Sequence, residues 1–467
     1  MRVLANPEFA GAYGAALVGR DQSATSPLSV QHIADLAVGR VQLQSTENTR
    51  CQRCELHCER TIATVEEPDA PPQTVVLGNA CERGAELSSR GARTRRHAPD
   101  VFSEEARKLT RPVLAAPHSP KAPRSDLPVF GIPRVLAFYR CAPLLLHYLR
   151  AAGVPDKNVV LSPTTSPQLT SQHSSGIVAD ACFPVKVVHA HVRHLLAAKR
   201  AKPVDHILLP SITHAAIEPK GTRDCASCPI VAACGDTARA SLRQAGSHTH
   251  ADKVMSPHFT LSNRERLSQQ LWRAFEPIVR CTEAEHEVAF QHAIKAQCAF
   301  RSRLRERGKK VVRAAEQRGS VVAVVLGRPY HADPGLSHGV SVELAARGIP
   351  VLGISSLSSN HESELDFTGE LAHITNSGCA EKIWAARVIA ANPNLLAVDL
   401  SSFRCGQDAS VDALVKETLG DHKPSLRLHD LDEDKPTSSI RLRLDTFQHA
   451  ATSYAERMTV SERKVQC

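Results

Sequence analysis

Short apolar runs alternate with helical stretches twice along this chain, and that alternation limits the fold more than any single motif does. The first passage starts at Val129 with Phe130-Gly-Ile-Pro-Arg-Val-Leu136, a strand that leads into a helix through Tyr148-Leu-Arg150. Val159-Val-Leu-Ser162 and His206-Ile-Leu-Leu-Pro210 read as further short strands, with helical material between them that includes 185–199. The second passage opens on Ser320-Val-Val-Ala-Val-Val-Leu-Gly327 and repeats the theme at Pro350-Val-Leu-Gly-Ile354 and Asn394-Leu-Leu-Ala-Val-Asp-Leu400. Its helices are expected over 340–347, 381–391 and 410–419. Strands separated by helices pair in parallel through crossovers rather than as hairpins. The expected class is therefore α/β, with two doubly wound parallel-sheet (flavodoxin-like) lobes at 128–260 and 320–467.

Between the lobes, 262–318 carries many Arg, Glu, Gln and Ala residues and no convincing strand, so 261–319 reads as a helical connector. The tail reads as an acidic loop, Asp430-Leu-Asp-Glu-Asp434, followed by a C-terminal helix that includes Ile440-Arg-Leu-Arg-Leu444. Upstream, 85–127 is rich in Arg, Pro and Ser and reads as a linker. Residues 45–84 read as a small cysteine-rich metal module with Gly and Pro turns, and 1–44 as a docking helix of small residues, Phe9-Ala-Gly-Ala-Tyr-Gly-Ala-Ala-Leu-Val18.

Composition narrows the function. Apolar residues at 42% and charged residues at 22% are those of a globular chain, and 467 residues suffice for two or three domains. Aromatic residues are only 4% and the +9 charge is spread along the chain, which argues against a nucleic-acid partner. No run approaches the ~18 apolar residues of a membrane span, and the start Met1-Arg-Val-Leu-Ala-Asn-Pro lacks a signal-peptide pattern, so the chain is expected in the cytoplasm and off the membrane. In that reducing compartment clustered cysteines hold metal or do redox chemistry rather than form disulfides, which makes the spacing of the fourteen cysteines informative.

The first set is Cys51-Gln-Arg-Cys54-Glu-Leu-His-Cys58, with Cys81 beyond a hairpin. Four thiolates from two short segments close around one zinc ion or one four-iron cluster, and spacing leaves both open. The second set is dispersed: Cys182 in Asp180-Ala-Cys-Phe-Pro-Val-Lys186, Cys228 in Cys225-Ala-Ser-Cys-Pro-Ile-Val231, and Cys405 in Phe403-Arg-Cys-Gly-Gln-Asp408. Each stands in a loop with Pro or Gly within two residues, and open α/β sheets gather ligands at such loops. Three thiolates can hold a four-iron cluster by three corners, leaving the fourth iron open. Buried structural cysteines would be the plainer account of the same residues.

Read together, several segments resemble the 2-hydroxyacyl-CoA dehydratase activase-related family, a domain fused behind activase ATPases. The matching stretches are the Cys51–Cys54–Cys58 spacing, Gly78-Asn-Ala-Cys-Glu-Arg-Gly84, Gly131-Ile-Pro-Arg-Val135, Asp180-Ala-Cys-Phe-Pro-Val-Lys-Val-Val-His189, Cys228-Pro-Ile-Val231, Gly327-Arg-Pro-Tyr-His331, Ser402-Phe-Arg-Cys-Gly406 and Asp432-Glu433. They stand in family order over about 45–445. The family is similar to the iron–sulfur subunits of 2-hydroxyacyl-CoA dehydratases and to double-cubane cluster reductases. The resemblance implies one or two 4Fe-4S clusters: a working cluster with an exchangeable iron on Cys182, Cys228 and Cys405, and a relay on Cys51, Cys54, Cys58 and Cys81. It further implies electron transfer coupled to an activase-type ATPase, acting in trans or as a missing N-terminal fusion, a small acyl-CoA-type or related substrate, and anaerobic metabolism; a dimer is left open. The string 9–18 resembles the closing helix of such an ATPase. Departures are Cys225, Cys234 and the segment after Leu357. The rival readings are a zinc-stabilised docking module for an activase, or a fragment of a larger fused activase.

Other residues join these sets. Arg328 and His331 follow the strongest strand, where an arginine binds phosphate and a histidine donates a hydrogen bond or proton, although a purely structural turn fits equally well. Lys186 and His189 follow Cys182 on the next helix, where positive charge suits an anionic cluster or a phosphate. Asp180 and His214 are candidate supports for that site. No Walker loop, serine–histidine–aspartate order or His-Glu-x-x-His motif is present.

Overall fold

The structure, a computed structural model, describes residues 41–44, 61–67, 70–77, 97–109, 122–173, 181–197, 203–358, 366–432 and 437–465. The chain divides into two units, Met1–Arg93 and Thr94–Cys467. In the first, β1 (Val41–Gln44), β2 (Thr61–Glu67) and β3 (Ala70–Leu77) form an antiparallel sheet in that order. Thr61 pairs with Leu77, so the hairpin expected before Cys81 is present. Cys51, Cys54, Cys58, Cys81, the 9–18 helix and Asp180 lie outside the described residues.

The second unit is α/β with several parallel sheets. Its first sheet has the order β5-β4-β6-β8, from β4 (Phe130–Ile132), β5 (Val159–Leu161), β6 (His206–Leu208) and β8 (Val254–Met255), all parallel. A two-stranded extension pairs β7 (Ser211–His214) with β9 (His258–Thr260). Pro210 and Pro257 stand at the two breaks, where a missing backbone N–H interrupts the ladder. The second sheet has the order β11-β10-β12-β13, from β10 (Val322–Leu326), β11 (Val351–Gly353), β12 (Leu395–Ser402) and β13 (Ser425–Leu431), again all parallel. In both sheets the first strand lies inside, with its successors on either side. The loops after β4 and β6, and after β10 and β12, therefore diverge and leave a crevice at the strands' carboxyl ends.

The connector is helical, as read: helix Arg264–Val279 is capped by the Asn263 side chain, and helix Glu283–Glu316 by a capping box of Thr282 and Glu285. Leu267, Leu271, Phe275 and Val279 face a core that runs through both sheets. Two segments differ from expectation. Within the stretch read as linker, helix Val101–Leu109 buries Val101, Phe102, Ala106 and Leu109, and Val351 N–H donates to Pro99 O beside it. The Arg and Pro residues around it masked a short amphipathic period. The acidic loop starts later than read, because β13 runs to Leu431 with Leu426, Leu428 and Leu431 buried. Among the described residues, no helix is long and apolar enough to cross a membrane.

Candidate functional site

The strand ends of both sheets lead into one cavity of about 180 Å³. Leu136 and Ala137 reach it after β4, Ile212 on β7, Arg328 to Tyr330 after β10, and Arg404 to Gln407 after β12. Leu136 takes a positive φ of 43°, which turns the chain into helix Phe138–Ala151 and brings Arg140 to the same wall. Cys182, Cys228 and Cys405 all line this cavity, although they are far apart in sequence.

Each of the three stands directly before a helix: Phe183–Ala197, Pro229–Ala232 and Gly406–Ala409. Val185 N–H and Lys186 N–H donate to Cys182 O, Ala232 N–H to Cys228 O, and Ala409 N–H to Cys405 O. The first turn of each helix thus fixes the backbone that carries the thiol. Cys228 is also strapped to the stretch 375–377: Ala226 N–H donates to Thr375 O, and Ser377 N–H donates to Ala226 O. That strap places Cys228 beside the start of helix Ser377–Ala391, on the cavity that Cys405 also lines.

The lining carries Arg140, Arg328 and Arg404 and no carboxylate. Arg140 makes a two-pronged ion pair to Glu381, at 3.0 and 2.6 Å. Arg328 donates to Asp408 Oδ1 at 2.6 Å and to Asn376 Oδ1 at 3.1 Å, with Cys379 Sγ at 3.7 Å. Burial opposes charge on Arg328, but Asp408 outweighs it and the guanidinium is held charged. Burial likewise opposes charge on Asp408, and Arg328 and Lys382 reverse it, so the carboxyl stays well below the usual range. A Cβ on Gly378 would stand 1.5 Å from Arg328 Nη1, so only glycine lets the arginine pass. Burial pushes the Cys182 thiol up to about 11 and raises that of Cys405, with the neighbouring Asp408 adding to the latter. A ligand that takes these thiols as thiolates displaces their protons.

The remaining predicted residues fall differently. Arg328 lines the cavity, but its donors are committed to Asp408 and Asn376 instead of waiting for a phosphate. His331 lies beneath the wall, 1% exposed, with Nδ1 accepting from Arg328 N–H and Nε2 unpartnered. Burial pushes its pKa down to about 3, so it is a neutral strut for the Arg328 loop. Lys186 and His189 are on the helix after Cys182 but do not line the cavity; His189 is buried, and burial lowers its pKa. His214 pairs with Asp224 at 3.3 Å, outside the lining. Cys225 and Cys234 do not line it either, and Cys234 packs in a buried apolar cluster with Val188, Leu209 and Val254. Sequence reasoning missed Arg140, Asn376, Cys379, Glu381 and the partner role of Asp408. Asn376-Ser-Gly-Cys379 held the one legible signal, an asparagine cap three residues before a cysteine.

Residues 130–357 match a family model described as the CoA enzyme activase uncharacterised domain. They form a CoA enzyme activase-related domain. The activase-related segment holds Arg140, Cys182, Cys228 and Arg328, while Cys405 lies beyond it in the chain but on the same cavity. No curated protein matches the chain. Among solved structures, the C-terminal domain of glucosamine-fructose-6-phosphate aminotransferase from Francisella tularensis is similar at 11% identity, over 77% of this chain and 95% of that one, with a TM-score of 0.19, too slight a likeness to bear on the fold.

Proposed function

We propose that this chain is an iron–sulfur protein in which Cys182, Cys228 and Cys405 hold a four-iron cluster. On this reading it serves an activase-type ATPase as a low-potential electron-transfer reductase or dehydratase-like component, with two doubly wound lobes framing the site. The observation that carries the reading is the convergence of the three thiols on one cavity from three separate helix starts. Their separation argues against a single zinc ion. Among the described residues the trio of donor atoms within 4.8 Å of one another is Asp399, Asp412 and His429, not the three thiols. Three thiolates on one zinc ion, at Zn–S about 2.3 Å, would stand about 3.8 Å apart. Guanidiniums at the wall and no carboxylate suit an anionic group.

Bound by three cysteines, a four-iron cluster supplies one-electron chemistry and one iron open to an exchangeable ligand. The chain's own residues set its surroundings. Arg140 and Arg328, fixed by Glu381 and Asp408, hold positive charge at the wall without needing to reorient. Tyr330 keeps its proton, because burial raises its pKa far above the usual value, and its hydroxyl is a neutral donor at the cavity. Leu136 and Ile212, both buried, add apolar lining to the same cavity. The first cysteine set, Cys51, Cys54, Cys58 and Cys81, is proposed as the relay, with iron or zinc both open there.

Strictly anaerobic purification followed by iron, zinc and acid-labile sulfide analysis tests this. The reading predicts equal iron and sulfide in multiples of about four, with a broad absorption that bleaches on reduction. Zinc alone, without colour, refutes it.

A further inference from the structure

A second cavity, about 70 Å³, lies behind the wall of the first and shares Arg140, Arg328 and Pro329 with it. Four arginines line it, and three of them are spoken for: Arg140 by Glu381, Arg305 by Glu218, and Arg328 by Asp408. Arg301 is not. Among the described residues it has no carboxylate partner, and its protein hydrogen bond is a donation from Nη2 to Ala216 O at 3.2 Å. A guanidinium offers five N–H donors, and one carbonyl leaves most of that capacity over. Burial and then the nearby Arg140 lower the pKa of Arg301, against the pull of Glu381 and Glu218, which are themselves paired with Arg140 and Arg305.

A second donor is orphaned in the same space. Trp384 is 2% exposed and lines the cavity, yet its indole Nε1–H has no partner. An indole N–H can only donate, and a buried donor without an acceptor costs about 1–3 kcal/mol. A missing acceptor would meet both needs. Glu105 lies here too, but its carboxyl is bonded by Ser355 Oγ–H, and burial lifts its pKa to about 7.

We propose that this second cavity binds one small oxyanion, a carboxylate or phosphate group, on the Arg301 guanidinium and the Trp384 indole N–H. The volume admits a single such group, not a bulky ligand. The site does not depend on a metal in the first cavity, so it stands apart from the cluster reading. The charges facing Glu105 are Arg301, Arg140 and Glu381; as Glu105 ionises above about pH 7 it competes for Arg301, and oxyanion affinity falls.

Calorimetric titration of the full chain with sodium phosphate, and separately with sodium acetate at matched ionic strength, tests the proposal. One saturable site is expected for at least one of the two anions, and the tighter anion identifies the source as phosphate or carboxylate. Arg301→Gln and Trp384→Phe should each weaken it about tenfold or more, and Arg301→Lys less than Arg301→Gln. Arg303→Gln, an exposed change on the same helix, should leave it unaltered. No saturable binding of either anion by folded wild-type chain overturns the proposal, as does wild-type affinity in Arg301→Gln or, should that chain not fold, in Trp384→Phe.

Discussion

Replacing Glu105 by Gln should make the protein more stable at pH 8 and leave it little changed near pH 4.5. Glu105 stands on the inner face of helix Val101–Leu109, 8% exposed, and accepts a hydrogen bond from Ser355. Burial raises its pKa from 4.5 to about 7, against the pull of Ser355, Arg301 and Arg140. Between those two values the folded chain keeps a proton that the unfolded chain has released. Stability therefore falls as pH rises through this window, and the whole cost is present above it. A shift of about 2.5 pH units at 1.36 kcal/mol each amounts to roughly 3 kcal/mol. Glutamine keeps the shape and an acceptor for Ser355 but has no charge to desolvate. For a unit of this size, 3 kcal/mol corresponds to roughly 4 °C in melting temperature. Thermal unfolding of wild type and Glu105→Gln at pH 4.5 and pH 8 measures both effects. Equal melting temperatures at pH 8, or a larger gain at pH 4.5, would refute the reasoning.

Other outcomes follow from the same contacts. Asp408→Asn leaves Arg328 and Lys382 without a charge they both face, and should cost about 3–5 kcal/mol in denaturant unfolding. Gly378→Ala improves helix propensity by about 1 kcal/mol, yet the methyl group would collide with the pinned Arg328, so net destabilisation is expected; a higher melting temperature would show that Arg328 yields. Native-state alkylation read by mass spectrometry should label exposed Cys298 and spare Cys141 and Cys234, whose buried thiols are pushed up to about 12, until the chain unfolds.

The strands were legible because each is short, apolar and bounded by turn residues; β4, β5, β6, β10, β11 and β12 all fall where the runs predicted them. The two-residue β8 and the proline-interrupted β7 and β9 were not, since such short pieces carry no period. β13 alternates only Leu426 and Leu428 with polar residues before the period breaks at His429 and Asp430, and the acidic residues beside it hid so short a pattern. For the site, loop position and neighbouring Pro or Gly named Cys182, Cys228 and Cys405, and the topology brings all three to one cavity. The partners of Arg140 and Arg328 come from distant helices and strand ends, and no local pattern encodes a pairing set only by how the sheets and helices pack. His331 shows the converse: a residue type suited to proton transfer proves to be buried and neutral.

The most direct measurement is cluster content in five single variants of the anaerobically purified chain. Cys182→Ala, Cys228→Ala and Cys405→Ala should each lose about four irons and the matching sulfide relative to wild type. Cys225→Ala and Cys234→Ala, whose thiols do not line the cavity, should keep the wild-type content. Unchanged iron in all three of the first group would contradict the account, as would an equal loss across all five.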